Sequence, residues 1–470
     1  MLYAALIEEH LKEQKHILVN GKREFTYFQL HEGAMGFLTY FYQNGVQKGD
    51  RILIKNHNDE RTIEAILACL AGGLIFVLVS NKCSEKEIGY LVKDCSPSMI
   101  LEPSEVNNIN IVINREYKRT RIPESMGAYI LYTSGTTGEK KGVYGCHKQI
   151  MFCCRSILSR LEYNESDKVL CSLSLEFDYG LYQIFLSLLS KAQIFLVEPE
   201  MLQMIPRYLY QWEITVYPSI PSVMNLLLKL RFLDKIQLPY LRCITFTGEY
   251  LSVELIKRIR EILPSAEVIP MYGVTECKRI AIMPKGHEDK VMAGSCGLPL
   301  DGVRVYLLKE NSMDSVGELI VEGPNVMEGY WNEGDGFETN LKTGMKIYHT
   351  GDLMSIDVEG FLYFYGRVNG LIKIMGHRIS EVEIENIVSS VTGVLECAVV
   401  GFRDDIYGEK IGICIYSKDE NIKKGIQEIL ATRPRYMNSY ELFCFSAPLP
   451  RNYNGKVNKI KLGKIINEKR

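Results

Sequence analysis

The 470-residue sequence lacks the features of several special classes of protein. It has no apolar run of roughly 18–20 residues, the length that a membrane-spanning helix needs. Its formal net charge of −2 at pH 7 argues against a surface built to bind a polyanion such as nucleic acid. Its 13 cysteines form no Cys-x-x-Cys pair and no zinc-type spacing, so we expect reduced thiols in a reducing compartment.

The start of the chain also lacks the signature of an export signal. The first ten residues contain neither a basic region nor a long apolar run, and their pattern is typical of an amphipathic helix. Internal repeats, low-complexity tracts and long flexible linkers are missing as well. These absences predict a cytoplasmic protein that binds neither nucleic acid nor a membrane.

The apolar pattern predicts an α/β protein with more than one domain. A chain of 470 residues exceeds the size at which a single core usually stops growing. Short β-rich runs alternate with helical patterns, which favours layers of helices on mostly parallel sheets. The predicted strands include residues 51–54, 75–79, 194–197, 214–217 and 243–246, with helices at 222–230 and 253–262.

The pattern changes beyond residue 300. Strand-like runs at 303–307 and 317–321 are linked by glycine-containing turns, as in a small β-barrel. From about residue 370, short strands and helices are mixed. This part of the chain is therefore expected to form a different kind of domain.

The most informative segment is Tyr-Thr-Ser-Gly-Thr-Thr-Gly-Glu-Lys-Lys-Gly at residues 132–142. Its glycines let backbone N–H groups approach an anion, and its hydroxyl and ammonium groups add further donors. The segment predicts a phosphate-binding loop, with an ordinary polar surface loop as the alternative. It is not a Walker A loop, because Lys140 occupies the position of that motif's second glycine.

Further segments complete a set in a fixed order. They are Tyr-Gly-Val-Thr-Glu at 272–276, Tyr-His-Thr-Gly-Asp at 348–352, Gly-Arg-Val-Asn at 366–369 and Asn-Gly-Lys at 454–456. Taken singly, these have ordinary explanations: a capped helix N-terminus, a turn between strands or a solvated lysine. Together with residues 132–142 they resemble the adenylate-forming enzymes, which include acyl-CoA synthetases, luciferases and the adenylation domains of non-ribosomal peptide synthetases.

The resemblance implies a fold. It predicts a large N-terminal domain of two mixed sheets with flanking helices plus a small β-barrel, and a small mobile α+β C-terminal domain. We expect the first domain at residues 1–368, with the barrel-like part at about 300–368, and the second at 369–470. The hinge is expected at Asn369, because asparagine tolerates the backbone angles that a rotation requires.

The resemblance also implies a site for ATP and Mg²⁺. Tyr272 is expected to stack on adenine, Thr275 to donate to the α-phosphate and Glu276 to hold Mg²⁺. Asp352 is expected to bind the ribose hydroxyls and Arg367 to reach the ribose or a phosphate. The full set expected around the nucleotide is Thr133, Ser134, Gly135, Thr136, Thr137, Gly138, Lys141, Tyr272, Gly273, Thr275, Asp352, Phe364, Arg367 and Lys456.

Catalysis is expected from Lys456, which would bridge the substrate carboxylate and the nucleotide, with Thr133 and Glu276 stabilising the departing pyrophosphate. A domain rotation would then withdraw Lys456 and admit a thiol. The chain departs from the family at Lys140, which replaces a usual proline, and at Leu371 and Met375, which replace a usual glutamine and arginine. The last two changes affect the thioester-forming step more than adenylation.

Phe177 and Asp178 resemble the signature with which peptide-synthetase adenylation domains bind the α-ammonium of an amino acid. A buried carboxylate needs a cationic partner, although capping of a helix at 179–189 is an alternative role for Asp178. Arg279 would bind a side-chain carboxylate, neutralise a nearby glutamate or face solvent. The residues expected to line the substrate pocket are Asp178, Tyr179, Tyr182, Pro218, Thr245, Thr247, Met271, Arg279 and Ile280.

The sequence therefore predicts an ATP-dependent ligase that activates an amino acid, acidic or polar by the presence of Arg279. Since the chain ends soon after Lys456, we expect transfer to the phosphopantetheine arm of a separate carrier protein, as in non-ribosomal peptide and antibiotic synthesis. An acyl- or aryl-CoA ligase that uses coenzyme A is the alternative enzyme. A non-catalytic nucleotide-binding protein is the remaining alternative, against which the retained motif residues argue.

Overall fold

The computed structural model describes residues 2–104, 106, 122–134, 140–233, 236–309, 311, 313–332, 337–374, 377–404, 408–419, 421–433, 437, 439–451 and 457–468. The chain divides into two compact units. Unit 1 comprises Met1–Leu251, Leu255–Val305 and Val321–Tyr348, and unit 2 comprises Ser252–Glu254, Tyr306–Ile320 and His349–Arg470. The domain boundary at 368/369 and the hinge at Asn369 remain predictions.

Strands and helices alternate along the chain. The strands are β1 (His16–Asn20), β2 (Arg23–Thr26), β3 (Arg51–Asn56), β4 (Ile75–Ser80), β5 (Met99–Leu101), β6 (Gly127–Ser134), β7 (Lys140–Cys146), β8 (Lys168–Cys171), β9 (Gln193–Leu196), β10 (Val216–Ser219), β11 (Cys243–Phe246), β12 (Glu267–Tyr272), β13 (Ala281–Ile282), β14 (Ser295–Pro299), β15 (Arg304–Leu308), β16 (Gly317–Glu322), β17 (Gly329–Tyr330), β18 (Glu338–Thr339), β19 (Lys346–Ile356), β20 (Leu362–Arg367), β21 (Leu371–Ile374), β22 (His377–Ser380), β23 (Val394–Asp404), β24 (Gly408–Ser417) and β25 (Tyr440–Phe445).

The α-helices are α1 (Leu2–Leu6), α2 (Tyr27–Gln43), α3 (Glu60–Gly72), α4 (Glu85–Cys95), α5 (His147–Leu161), α6 (Asp178–Ser190), α7 (Ile205–Gln211), α8 (Pro221–Lys229), α9 (Val253–Ile262), α10 (Glu288–Met292), α11 (Glu381–Ser389), α12 (Ile422–Ala431) and α13 (Lys459–Glu468). Short 3₁₀ helices lie at Glu8–His10, Leu202–Met204 and Val368–Gly370. No helix in the described residues is long and apolar enough to cross a membrane.

Both sheets of unit 1 have parallel strands at their centre. One follows the order β14-β13-β12-β11-β10-β8-β9-β1-β2, with the run from β12 to β1 parallel. The other follows the order β17-β7-β6-β4-β3-β5, with β6 to β5 parallel. The carboxyl ends of β10, β11 and β12 therefore lie at one edge, where open α/β sheets usually bind ligands.

The barrel-like segment predicted at 300–368 is present as paired strands, but these strands do not close into a barrel within the described residues. β15, β16, β19 and β20 pair in that order, and β18 pairs with β19. A barrel would need β15 to pair on both sides, whereas its one partner in the described part of the chain is β16.

Unit 2 also contains a sheet of order β22-β21-β24-β23, with β25 paired to β24. Side chains alternate between the two faces of the sheet along β23, and different helices cover the two faces. Val399 packs in the core with α11 and α12, whereas Val400 and Phe402 pack with α13. This mixed, two-faced arrangement is the α+β structure predicted from the sequence.

Candidate active site

The two ends of the predicted phosphate loop lie side by side in unit 1. β6 and β7 are antiparallel, with Thr133 opposite Lys141 and Ser134 opposite Lys140. Gly135, Thr136, Thr137 and Gly138 lie outside the described residues. Antiparallel pairing therefore brings the predicted hydroxyl and ammonium donors on either side of this segment together.

Lys140, which replaces the usual proline, anchors this hairpin to helix α4. Its Nζ lies 3.2 Å from a carboxylate oxygen of Glu87, and its carbonyl oxygen accepts a hydrogen bond of 2.8 Å from the Tyr90 hydroxyl. The pKa of Glu87 is lowered, first by the hydrogen bond from the Ser84 backbone and further by the Ser84 side chain and Lys140, although burial opposes these effects. These two contacts join the start of β7 to α4.

Tyr330 connects the phosphate hairpin to Glu276. Its strand pairs with β7, and its ring centroid lies 4.9 Å from the Lys141 Nζ. Its hydroxyl donates a hydrogen bond of 2.7 Å to Glu276 Oε1 and lies 3.2 Å from the Tyr348 hydroxyl. Burial, and then the Glu276 carboxylate, raise the pKa of Tyr348 well above its usual range, so Tyr348 remains a neutral partner.

Residues 272–280 form a tight turn after β12. A Cβ at Gly273 would lie 1.8 Å from the Lys278 carbonyl oxygen, so only glycine fits there. The Ile280 amide donates to the Tyr272 carbonyl at 2.9 Å and closes the turn. The capped helix considered as an alternative for this motif is therefore wrong: Thr275 and Glu276 lie in a turn, and Tyr272 is 8% exposed.

Asp352 and Arg367 lie opposite each other on β19 and β20 of unit 2. The Arg367 Nε is 2.7 Å from Asp352 Oδ1, and the Asp352 side chain is nearly buried whereas that of Arg367 is half exposed. Thr350 supports the turn by accepting the Asp352 amide and donating to the Leu319 carbonyl at 2.8 Å. The structure thus brings together two residues that the sequence assigns to the nucleotide.

Other predicted residues of unit 2 have different surroundings. Phe364 is half-buried on β20, opposite Met354, and Asn369 is exposed in the 3₁₀ helix Val368–Gly370. Lys456 lies outside the described residues. On either side of its segment, Arg451 and Val457 form an antiparallel bridge, and Lys459 is ion-paired to Glu381 at 2.6 Å and to Glu385 at 2.7 Å.

The predicted substrate residues lie at the carboxyl edge of the larger sheet of unit 1. Helix α6 begins at Asp178, and Phe177 holds its N-cap position without a side-chain cap. The capping role considered for Asp178 is therefore wrong, although a carboxylate in the first turn still stabilises the helix dipole. Tyr179 and Tyr182 lie on α6, Pro218 on β10, Thr245 on β11 and Met271 on β12, with Thr247, Arg279 and Ile280 in the following segments.

Direct contacts join four of these residues. The Tyr179 hydroxyl donates to the Thr245 carbonyl at 2.8 Å and lies 2.7 Å from the Thr245 hydroxyl. The Arg279 guanidinium lies 5.2 Å from the Tyr179 ring and donates from Nη1 to the Thr247 hydroxyl at 3.0 Å. Arg279 is only 5% exposed, so the solvent-facing alternative for this residue is wrong.

Lys278 and Tyr330 are site residues that the sequence did not single out. Lys278 is 1% exposed, adopts a left-handed backbone with φ of 55°, and places Nζ 4.6 Å from the Tyr129 ring. Its Nζ has no hydrogen-bond partner in the described residues. Burial lowers its pKa, an effect opposed by Asp178, Cys153 and Glu276 and reinforced by Arg279.

We expect Lys278→Met to stabilise the protein, because methionine has a similar length but no buried charge. The gain in unfolding free energy should be about 1–3 kcal/mol at pH 7. The folded-state pKa of Lys278 lies below its ordinary value of 10.5, so the unfolded chain binds more protons and the wild type gains stability as the pH rises between those two pKa values. The difference between variant and wild type should therefore shrink from pH 7 to pH 10 in urea unfolding.

The stability test has a matched control in Lys285, a half-exposed lysine that is ion-paired with Glu162. Lys285→Met should change stability little at either pH, since exposed pairs contribute about 0–1 kcal/mol. The opposite result would be a Lys278→Met variant with a lower unfolding free energy than the wild type, by the same amount at pH 7 and at pH 10. Lys278 would then not carry a destabilising buried charge.

Comparisons with known proteins show what this chain is similar to. Residues 8–331 match the model of the AMP-binding enzyme family. Surfactin synthase subunit 3 of Bacillus subtilis (strain 168) is 27% identical over 482 residues, covering 95% of this chain but 37% of that protein. The 4-coumarate--CoA ligase-like 4 of Oryza sativa subsp. japonica is 28% identical over 367 residues, covering 75% of this chain and 65% of that protein. The chain thus spans well under half of the synthase subunit.

Solved structures share the fold. ATP-bound MatB from Rhodopseudomonas palustris has a TM-score of 0.88 at 20% identity, covering 99% of both chains. VinN in complex with L-aspartate has a TM-score of 0.69 at 27% identity, covering 78% of this chain and 98% of that one. These likenesses confirm the predicted fold class. Since the family model matches more than half of the sequence, the chain belongs to the AMP-binding family of adenylate-forming enzymes.

Proposed function

We propose that the protein activates an amino acid with ATP as an aminoacyl-adenylate and then transfers it to the phosphopantetheine thiol of a separate carrier protein. The observation that carries this proposal is Asp178, a half-buried acid that starts α6 at the sheet edge where the other predicted substrate residues lie. A carboxylate in such surroundings needs a cation within reach, and the ammonium of an amino acid supplies one. Similarity to surfactin synthase subunit 3 and to VinN, solved with L-aspartate, supports an amino-acid substrate.

Adenylation brings two anions together, so the residues of this chain must orient them and neutralise charge. A carboxylate oxygen of the substrate attacks the α-phosphorus of ATP, and the bond from that phosphorus to the pyrophosphate oxygen breaks. In our proposal Lys456 neutralises the attacking carboxylate and Thr275 donates to the α-phosphate. Lys141 holds the departing pyrophosphate together with the hydroxyls of Thr133 and Ser134.

The surroundings of Glu276 fit the Mg²⁺ ion that such a reaction requires. The hydrogen bond from Tyr330 orients its carboxylate, and carboxylate oxygens are ligands that Mg²⁺ prefers. The described residues contain no group of three or more His, Cys, Asp or Glu side chains that could hold a metal. When bound, Mg²⁺ neutralises phosphate charge.

The first test is pyrophosphate exchange into ATP, with the purified protein and a panel of amino acids, fatty acids and aryl acids. We expect exchange that depends on one or a few amino acids and that disappears with their deaminated analogues. Exchange supported only by acids without an ammonium group would reject the proposed substrate class.

The acceptor is tested separately, by trapping the thioester product. The preferred amino acid and ATP are incubated with a phosphopantetheinylated carrier protein or with coenzyme A, and each product is identified by mass spectrometry. Loading of the carrier supports our proposal, whereas a coenzyme A ester alone rejects the carrier as acceptor.

An acyl- or aryl-CoA ligase is the second candidate. It is favoured by the 28% identity to the 4-coumarate--CoA ligase-like protein, which the chain matches over 65% of that protein's length. However, a substrate acid without an ammonium group would give the Asp178 carboxylate no cationic partner. The exchange panel therefore separates the two candidates before any thiol is added.

Tyr330→Phe should lower the exchange rate about tenfold, because the variant loses the hydrogen bond that orients the Glu276 carboxylate. The apparent KM for MgATP should rise and that for the amino acid should not. Tyr144→Phe is the matched control, since this tyrosine lies on β7 opposite Gly329 and packs its ring 5.3 Å from that of Trp331. Equal effects of the two variants on KM for MgATP would contradict a positioning role for Tyr330.

A further inference from the structure

Two neighbouring cationic side chains are buried in unit 1 with donors that have no partner in the described residues. The Lys278 Nζ makes no hydrogen bond, and the Arg279 Nε makes none either, although Arg279 Nη1 donates to Thr247. Lys278 is 1% exposed and Arg279 is 5% exposed. A buried N–H donor on a charged group destabilises the fold strongly when it has no acceptor. The presence of two such donors therefore indicates a ligand that accepts their hydrogen bonds.

The two cations belong to one cluster. Burial raises the pKa of the Cys153 thiol to about 12, an effect that Lys278 and Arg279 oppose and Asp178 reinforces, so all three charges act on one thiol. Two aromatic rings bound the cluster: Tyr129, 4.6 Å from the Lys278 Nζ, and Tyr179, 5.2 Å from the Arg279 guanidinium.

Two carboxylates act on this pair of cations, and they are not equally available to it. Asp178 and Glu276 are the carboxylates that act on Lys278, and neither is hydrogen-bonded to its Nζ in the described residues. Glu276 is engaged by the Tyr330 hydroxyl. In our proposal the charge of Glu276 is committed to Mg²⁺, so Asp178 is the carboxylate left to face the two cations. The cluster then has an excess of one positive charge when Lys278 is protonated.

This excess selects among amino acids by charge. The ammonium of a simple amino acid would pair with Asp178, and its single carboxylate would react with ATP, which leaves both cations unpaired. An amino acid with a second carboxylate carries one net negative charge and balances the cluster. Arginine binds carboxylates with directional N–H groups and lysine adds a point charge, so the pair suits one carboxylate.

We propose that Lys278 is a specificity residue which, together with Arg279, binds the non-reacting carboxylate of a dicarboxylic amino acid. This inference rests on the proposed amino-acid activation and names its substrate class. The L-aspartate bound to VinN, at 27% identity to this chain, is an amino acid of that class.

The test compares pyrophosphate exchange with each dicarboxylic amino acid and its neutral amide: aspartate with asparagine and glutamate with glutamine. In the wild type, kcat/KM for one of the acids should exceed that for its amide at least about 100-fold. Lys278→Met should lower kcat/KM for the acid about 100-fold and change that for the amide less than about threefold. Lys285→Met, a half-exposed control in the same unit, should leave both values unchanged.

A second readout does not depend on turnover. Binding of the preferred acid in the presence of a non-hydrolysable ATP analogue should raise the melting temperature of the wild type and of Lys285→Met, but not that of Lys278→Met. Because the wild-type selectivity between acid and amide needs no variant, the inference stays testable even if Lys278→Met does not fold.

The outcomes separate this inference from the proposed function. If the wild type activates a monocarboxylic amino acid better than any acidic one, or if Lys278→Met keeps the wild-type ratio of acid to amide, the inference is overturned while amino-acid activation stands. If no amino acid supports exchange but another acid does, the proposed function fails and the inference fails with it.

Discussion

Lys456→Ala is expected to lower acid-dependent pyrophosphate exchange at least about 10³-fold, equivalent to about 4 kcal/mol of transition-state stabilisation. The reaction we propose joins a carboxylate to a phosphate, and a lysine ammonium that bridges them acts most strongly as their oxygens approach. The affinity for ATP alone should change less than about threefold, since other residues are expected to hold the nucleotide. Exchange kinetics and equilibrium binding of ATP measure the two effects independently.

The control for this variant is Lys461→Ala. Lys461 is exposed on α13, five residues further along, and its loss removes one positive charge from the same segment. It should retain full exchange. Undiminished exchange in Lys456→Ala would exclude this lysine from adenylation, whereas a parallel loss in Lys461→Ala would indicate a general effect of charge near α13.

The fold could be predicted from the sequence where apolar runs are short and buried on both faces. The run at 243–246 coincides with β11 (Cys243–Phe246), which lies between β10 and β12 with every residue buried. The run at 214–217 was placed two residues too early, since β10 is Val216–Ser219 and includes Pro218. Proline is normally excluded from central strands, so only the pairing with β11 could reveal this boundary.

The prediction of a small barrel differs from the structure for a related reason: the strands pair as predicted but do not close within the described residues. Alternating strands and glycine turns predict antiparallel pairing, but they do not specify whether the first strand pairs with the last. Closure depends on contacts between residues about 60 positions apart, a separation at which single-sequence patterns carry no information.

Candidate site residues could be identified from the sequence where they belong to a local motif, and their roles stay predictions. Asp178 and Arg279 lie in segments that resemble those of adenylate-forming enzymes, and this resemblance identified them as candidates. Tyr330 could not be found, because its hydrogen bond to Glu276 joins residues 54 positions apart. Lys278 could not be found either, since a lysine in a sequence is normally a solvated charge and only the structure reveals its burial.

Asp178→Asn is expected to lower kcat/KM for the preferred amino acid about 10³-fold, because the substrate ammonium loses its counter-charge. Removing one partner of such a pair weakens binding by about 2–5 kcal/mol. The variant also removes the carboxylate that most raises the pKa of Lys278, which should lower the pKa of that lysine further. Asparagine preserves the shape of the side chain, so ATP binding should remain intact.

The decisive measurement for Asp178 is the ratio of kcat/KM for the amino acid to that for its deaminated analogue, succinate in the case of aspartate. The wild-type ratio should be large and the ratio in Asp178→Asn close to one, because only the ammonium distinguishes the two acids. Glu85→Gln removes an acidic residue from the first turn of the exposed helix α4 and controls for a helix-dipole effect. If the wild type activates both acids equally, no residue binds the substrate ammonium. The charge of Asp178 would then stabilise the buried cations of the protein and not the substrate.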